Sequence, residues 1–204
     1  MSTRRAPAAR GERRRGAKRT LVAAAMKALA TTLILCAAMI SPRAACADEG
    51  GPPPKALTSL WLEQQLVAHG AKFVVDQLWA HQRYDDVMAQ MSSGKSDWIA
   101  LAPKLAGGTD AGTAEELIIS LALALPINPG SVLATLGSDQ DIPTAAADVC
   151  GAPFIEGTVK NIADYLRRSI KAVAAIRNPA LARQKTACLD ELHKAVEELK
   201  VDGK

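Results

Sequence analysis

The chain has 204 residues, with 25 Lys and Arg against 21 Asp and Glu, a basic balance that would point to nucleic acid as a partner. The placement of the charges excludes that reading: ten of the bases and one acid, Glu12, precede residue 48, which leaves 15 bases against 20 acids from Asp48 onward. An acidic domain of about −5 repels phosphate backbones, and a composition rich in Ala and Leu but poor in aromatics favours helices over strands.

Residues 28–40 form an uncharged apolar run behind Lys27, broken by Ser41-Pro42 and followed by the small-x-small triplet Ala45-Cys46-Ala47. This pattern predicts a signal peptide over residues 1–47, cleaved after Ala47, and a mature protein in the periplasm or secreted. Met26 opens a complete signal by itself, so translation starts at Met1 or Met26, and in the second case residues 1–25 are an untranslated upstream extension. Leu21 to Ile40 is long enough to span a bilayer, but Lys27 inside it would cost about 2.5–3.5 kcal/mol at the bilayer centre. No stable membrane insertion is therefore expected after cleavage. Leu35 before Cys36 and Arg43-Ala44 before Cys46 do not suit lipidation, and Arg4-Arg5 lacks the context of a twin-arginine signal.

Residues 48–55 carry Gly50, Gly51 and three prolines and are expected to form a flexible leader into a single helical domain over residues 56–204. From Leu57 to Trp79 apolar residues recur at three and four positions, which predicts one continuous helix with Trp61 and Trp79, five turns apart, on one buried face. A short helix follows over Asp85–Met91, ended by Ser92-Ser93-Gly94. The next is capped by Ser96 and runs through Trp98 and Ile99 until Pro103 kinks or stops it. Beyond the loop at residues 106–112, Thr113 and Glu116 read as a capping box opening the apolar helix of Leu117, Ile118, Leu121 and Leu125. Asn128-Pro129 caps a helix to Leu136, and Asp141 caps another to Val149, closed by Gly151. Two longer helices, over residues 157–177 and 179–200, end the chain, the last capped by Asn178 and Pro179. No segment alternates with period two. The fold class is all-α, an irregular helical bundle or a short stack of helical hairpins with about seven to eight helices.

Candidate chemistry is sparse. On a continuous helix His69 and His81 would stand about 18 Å apart along the axis and about 120° around it, and His193 has no second ligand at helical spacing. No metal site or cofactor is expected. His81, Tyr84, Asp85 and Asp86 read as a turn with solvated charges. Glu115-Glu116 reads as an acidic pair opposing the positive end of a helix dipole. The loop Gly107-Gly108-Thr109-Asp110-Ala111-Gly112 has the composition of a phosphate cradle but lacks its Gly-Lys-Ser/Thr ending and a preceding strand, so it reads as a flexible connection. Trp61, Phe73, Trp79, Tyr84 and Trp98 are expected in the core beneath the first helix. Lys160, Arg167, Arg168 and Lys171, with Asp164 among them, read as a solvated face.

Removal of the signal takes away Cys36 and Cys46 and leaves Cys150 and Cys188, which are expected to form a disulfide in an oxidising compartment. For function, the absence of paired catalytic groups favours a non-enzymatic protein that binds, inhibits or neutralises another macromolecule, with a protein as the partner. The alternative is a cell-envelope hydrolase using Glu115 or Glu116 beside the Gly-rich loop.

Overall fold

The computed structural model describes residues 51–137, 143–155 and 157–202, all within one compact unit, Ala45–Lys204. The expected signal segment with Met26, Cys36 and Cys46, and the expected cap Asp141, lie outside the described residues. Among the described residues the regular structure is helical throughout: α1 Ser59–His69, α2 Ala71–Ala80, α3 Tyr84–Ser92, α4 Ser96–Ile99, α5 Ala102–Ala106, α6 Ala111–Ala124, α7 Pro129–Thr135, α8 Ala146–Cys150, α9 Ile162–Ala174, a 3₁₀ turn Pro179–Leu181, and α10 Ala182–Asp202. The fold is the all-α bundle expected. None of these helices is long and apolar enough to cross a membrane.

The helix expected over Leu57–Trp79 is two helices. Thr58 caps α1 through its hydroxyl, which accepts from the Trp61 amide, and the chain breaks at Gly70, with φ 82° and ψ 163°. That backbone conformation is nearly closed to any residue with a Cβ. The apolar period runs through Gly70 in phase, so the pattern alone does not reveal the break. Its consequence is that Trp61 and Trp79 sit on different helices and do not share a buried face. Trp61 is half-buried, whereas Trp79 is 56% exposed.

The third expected helix also divides. Lys95, not Ser96, occupies the position before α4, and Pro103 stands in the first turn of α5, where its missing amide costs nothing. Helix α6 starts three residues earlier than the capping box Thr113–Glu116 would place it. Asp110 is the cap: its carboxylate accepts from the Thr113 amide, and the Thr113 hydroxyl accepts from the Asp110 amide. Asn128 caps α7 as expected, accepting from the Ser131 amide, and Asn178 accepts from the Ala180 amide ahead of α10. Helix α9 is shorter than residues 157–177 and is capped by Asn161.

Helix α3 packs along α6, and α10 packs on α9 and α8, with α7 against α4, α9 and α10. Leu62, Leu78, Met91, Leu117, Leu121 and Leu133 are among the fully buried side chains that join these pairs into one core, each contributing about 1.5–3 kcal/mol of apolar burial. Two tyrosines fasten it with buried hydrogen bonds. Tyr84 donates to the Thr113 carbonyl at 2.7 Å and Tyr165 donates to the Ala122 carbonyl at 2.9 Å. Burial pushes the Tyr165 phenol up to about 12, so it remains a donor at every ordinary pH. Ahead of α1, the Arg83 guanidinium donates to the carbonyls of Pro54 and Lys55.

The Cys150 and Cys188 sulfurs lie at disulfide distance, with Cα atoms 5.3 Å apart, and both residues are fully buried. The pair joins the end of α8, a helix of five residues, to the second turn of α10.

Candidate functional site

The end of α2 creates the site. Helix α2 closes with the Gln82 amide donating to the Trp79 carbonyl and the Arg83 amide donating to the Leu78 carbonyl, a paired bond pattern that requires a left-handed residue between helix and exit. Gly normally fills that position, but here it is Gln82, with φ 56°. The turn throws the chain directly into α3, whose first residue, Tyr84, is buried. Trp79 meets the Tyr84 ring edge-on with centroids 6.3 Å apart, which holds the indole while leaving its outer face open to solvent.

Helix α6, held against α3, supplies the opposite wall. The result is a cleft of about 480 Å³ lined by Trp79, Ala80, Gln82, Tyr84, Asp85 and Glu116, within the range of small-molecule and side-chain pockets. The acidic pair of α6 is thereby divided. Glu116 lines the cleft and is half-buried, while Glu115 is exposed and takes no part in its lining. Because α6 begins at Ala111, both glutamates stand beyond its first turn, so helix capping does not account for them. Glu116 Oε2 is buried without a hydrogen-bond donor among the described residues. Burial, then the charges of Asp85 and Glu115, hold the Glu116 carboxyl above the usual carboxylate range.

This has a consequence for stability. The folded chain keeps the Glu116 proton to a higher pH than the unfolded chain, so between the two values folding binds protons and stability falls as pH rises. Above that window the full penalty remains. Glu116→Gln is therefore expected to raise the denaturation midpoint at neutral pH and to flatten the pH dependence just above the ordinary carboxylate range. Urea titrations at a series of pH values check this, and an unchanged midpoint at pH 7 would contradict it.

The other residues singled out from sequence do not join the cleft. His69 ends α1 and packs on Phe73 with ring centroids 4.9 Å apart, and His81 is the exposed residue closing α2. Among the described residues no three His, Cys, Asp or Glu side chains gather where they could hold a metal ion. Asp86 pairs with Arg83 rather than facing the cleft. Gly108 is buried against the backbone of α2, so the Gly-rich loop is a packing contact. Asp164 pairs with Arg167 and Arg168 on the surface of α9, which holds its carboxyl below the usual range. A smaller hollow of about 180 Å³ lies between α8 and α10, lined in part by Asp148, Glu191, Lys194 and Glu198. Its Glu191 already pairs with Lys194.

Sequence reasoning missed Gln82. The usable signal is the polar run His81-Gln82-Arg83 between two apolar-periodic stretches, which marks a helix end with no glycine to take a left-handed position if the exit uses one. Comparison with family models, curated proteins and solved structures finds no match, so the geometry alone carries the functional argument.

Proposed function

We propose that the chain is an exported, non-enzymatic protein of the periplasm or the secreted fraction that binds, and thereby inhibits or neutralises, another macromolecule, with the Trp79 cleft as its point of contact. One observation carries the reading: Trp79, 56% exposed, stands on the wall of a cleft that also presents Gln82, Asp85 and Glu116. Exposed tryptophan is costly in solubility and common at the centre of binding sites, where it supplies large contact area at low entropic cost. The pair of buried cysteines at disulfide distance accords with an oxidising compartment.

A second reading keeps the hydrolase alternative in a narrower form. Glu116 sits in the cleft beside Asp85 with a raised tendency to hold its proton, which suits a general acid next to a carboxylate. Glu115, outside the cleft, leaves that role.

Two variants separate the readings. The partner is captured with the exported protein from its native compartment and then purified. Trp79→Ala is expected to weaken that complex by about tenfold or more, the scale of a central aromatic contact, with the fold retained and no more than about 1 kcal/mol of stability lost with the Tyr84 ring contact. Wild-type affinity in Trp79→Ala would remove the binding reading. Loss of phenotype in Glu116→Gln, with folding and partner affinity intact, would establish the hydrolase instead.

A further inference from the structure

Among the described residues the cleft is lined by two carboxylates, Asp85 and Glu116, and by no lysine or arginine. Among the described residues Asp85 forms no ion pair, and the charges of Asp85 and Glu115 both bear on Glu116. The cation closest in sequence, Arg83, is committed elsewhere: its guanidinium holds the carbonyls of Pro54 and Lys55 and pairs with Asp86. Against this surplus stands the open face of Trp79, whose quadrupole also attracts positive charge. A neutral occupant such as a sugar could stack on the indole but would leave the carboxylates uncompensated and further desolvated. A cationic occupant satisfies both.

We propose that the cleft receives an arginine side chain of a partner protein, its guanidinium lying against the Trp79 indole and donating to the carboxylates of Asp85 and Glu116. Arginine suits this shape better than lysine because its planar, weakly hydrated head stacks on an aromatic face while its edge forks to carboxylates. The acidic balance of the chain beyond residue 48 draws a basic partner surface toward it. Gln82 completes the arrangement. A side chain is disfavoured in the left-handed region that glycine enters freely, yet Gln82 holds it and lines the cleft, where its amide oxygen is available to a guanidinium N–H. The inference rests on the binding reading above and names the chemistry of its partner.

The test is a titration of the exported protein with acetyl-Gly-Arg-Gly-amide and its lysine and citrulline counterparts. The readout is the indole N–H resonance of Trp79 by NMR, with buried Trp98 (4% exposed) as internal reference. Saturable shifts of the Trp79 resonance by the arginine peptide are expected, with binding about threefold weaker for lysine and at least tenfold weaker for neutral citrulline. Asp85→Asn should weaken arginine binding at least fivefold. Asp148→Asn, in the hollow between α8 and α10, should leave it unchanged. Gln82→Gly gives a readout of opposite signs: a higher melting temperature together with weaker arginine binding. Equal binding of citrulline and arginine would overturn the proposal, as would saturation by a chitin oligosaccharide with no response to arginine. If Trp79→Ala still weakens the complex with the captured partner while the arginine peptide fails to bind, this inference falls and the binding reading stands. If Trp79→Ala leaves the captured complex intact, the binding reading itself falls.

Discussion

Reduction of the Cys150–Cys188 pair is expected to lower the stability of the fold by about 4 kcal/mol. The two residues are 38 positions apart, and closing a loop of that length removes about this much chain entropy from the unfolded state. For a domain of this size the loss corresponds to a drop of roughly 8–16 °C in melting temperature. The structural reason for a strong effect lies in α8. A five-residue helix cannot sustain itself, and α8 has no side-chain cap at its start. Its hold on the domain is packing against α6 and α10 together with the sulfur pair. The amides of Val149 and Gly151, which donate to Ala145 and Ala147, should therefore lose hydrogen-exchange protection before those of α6. Under the proposed export with cleavage after Ala47, protein from the periplasmic or secreted fraction, denatured without reductant, should present no titratable thiol. Two thiols in that assay would refute the bond, and a Cys150→Ala, Cys188→Ala double variant as stable as wild type would refute its energetic role.

Gly108→Ala should be at least as disruptive as most core substitutions, although the change adds one methyl group. A Cβ at residue 108 would lie 2.3 Å from the Ala71 carbonyl carbon, 2.4 Å from its oxygen and 2.5 Å from the Lys72 nitrogen. All three are backbone atoms of the first turn of α2 and cannot rotate away as a side chain can. Overpacking commonly costs about 1–3 kcal/mol. With backbone on one side and a tight loop on the other, about 3 kcal/mol is expected, a fall of about 10 °C in melting temperature. Gly107→Ala is the matched control, because a Cβ there meets nothing within 4 Å; its midpoint should stay within about 0.5 kcal/mol of wild type. Equal behaviour of the two variants would show that the loop does not pack on α2 in this way.

The same glycine explains part of what the sequence conceals. Two overlapping patterns, Asp110 to Thr113 and Thr113 to Glu116, each resemble the start of a helix. The choice between them is made by the loop's approach to α2, a tertiary contact with no local signature. Gly70 poses the same problem in another form: an apolar period of 3.6 reads identically through an unbroken helix and through a break that preserves phase. Where a cap residue has no competitor, as at Asn128 before Pro129 and at Asn178 before Pro179, local chemistry suffices and the helix starts follow it. The cleft was legible only as scattered parts. Glu116 and Asp85 were visible as carboxylates, but 31 positions separate them, and only the pairing of α3 with α6 brings them to one opening. The spacing of Trp79 from Trp61 points to the core only on a continuous helix, and the break at Gly70 removes that condition.

Tyr84 does more than fill the floor of that opening. Its hydroxyl is bound to the carbonyl of Thr113, the residue that closes the cap of α6, and its ring supports Trp79 from below. The walls are thus set in place when the chain folds, and an incoming group meets a tryptophan already restrained. Ordering a mobile side chain on association costs about 0.5–1.5 kcal/mol each. Here much of that entropy is surrendered before any ligand arrives. A rigid receptor of this kind recognises by shape, with little adjustment on contact. It also makes affinity sensitive at a distance: a change that loosens Asp110 or Thr113, neither of which lines the cleft, would reach the ligand as lost conformational order.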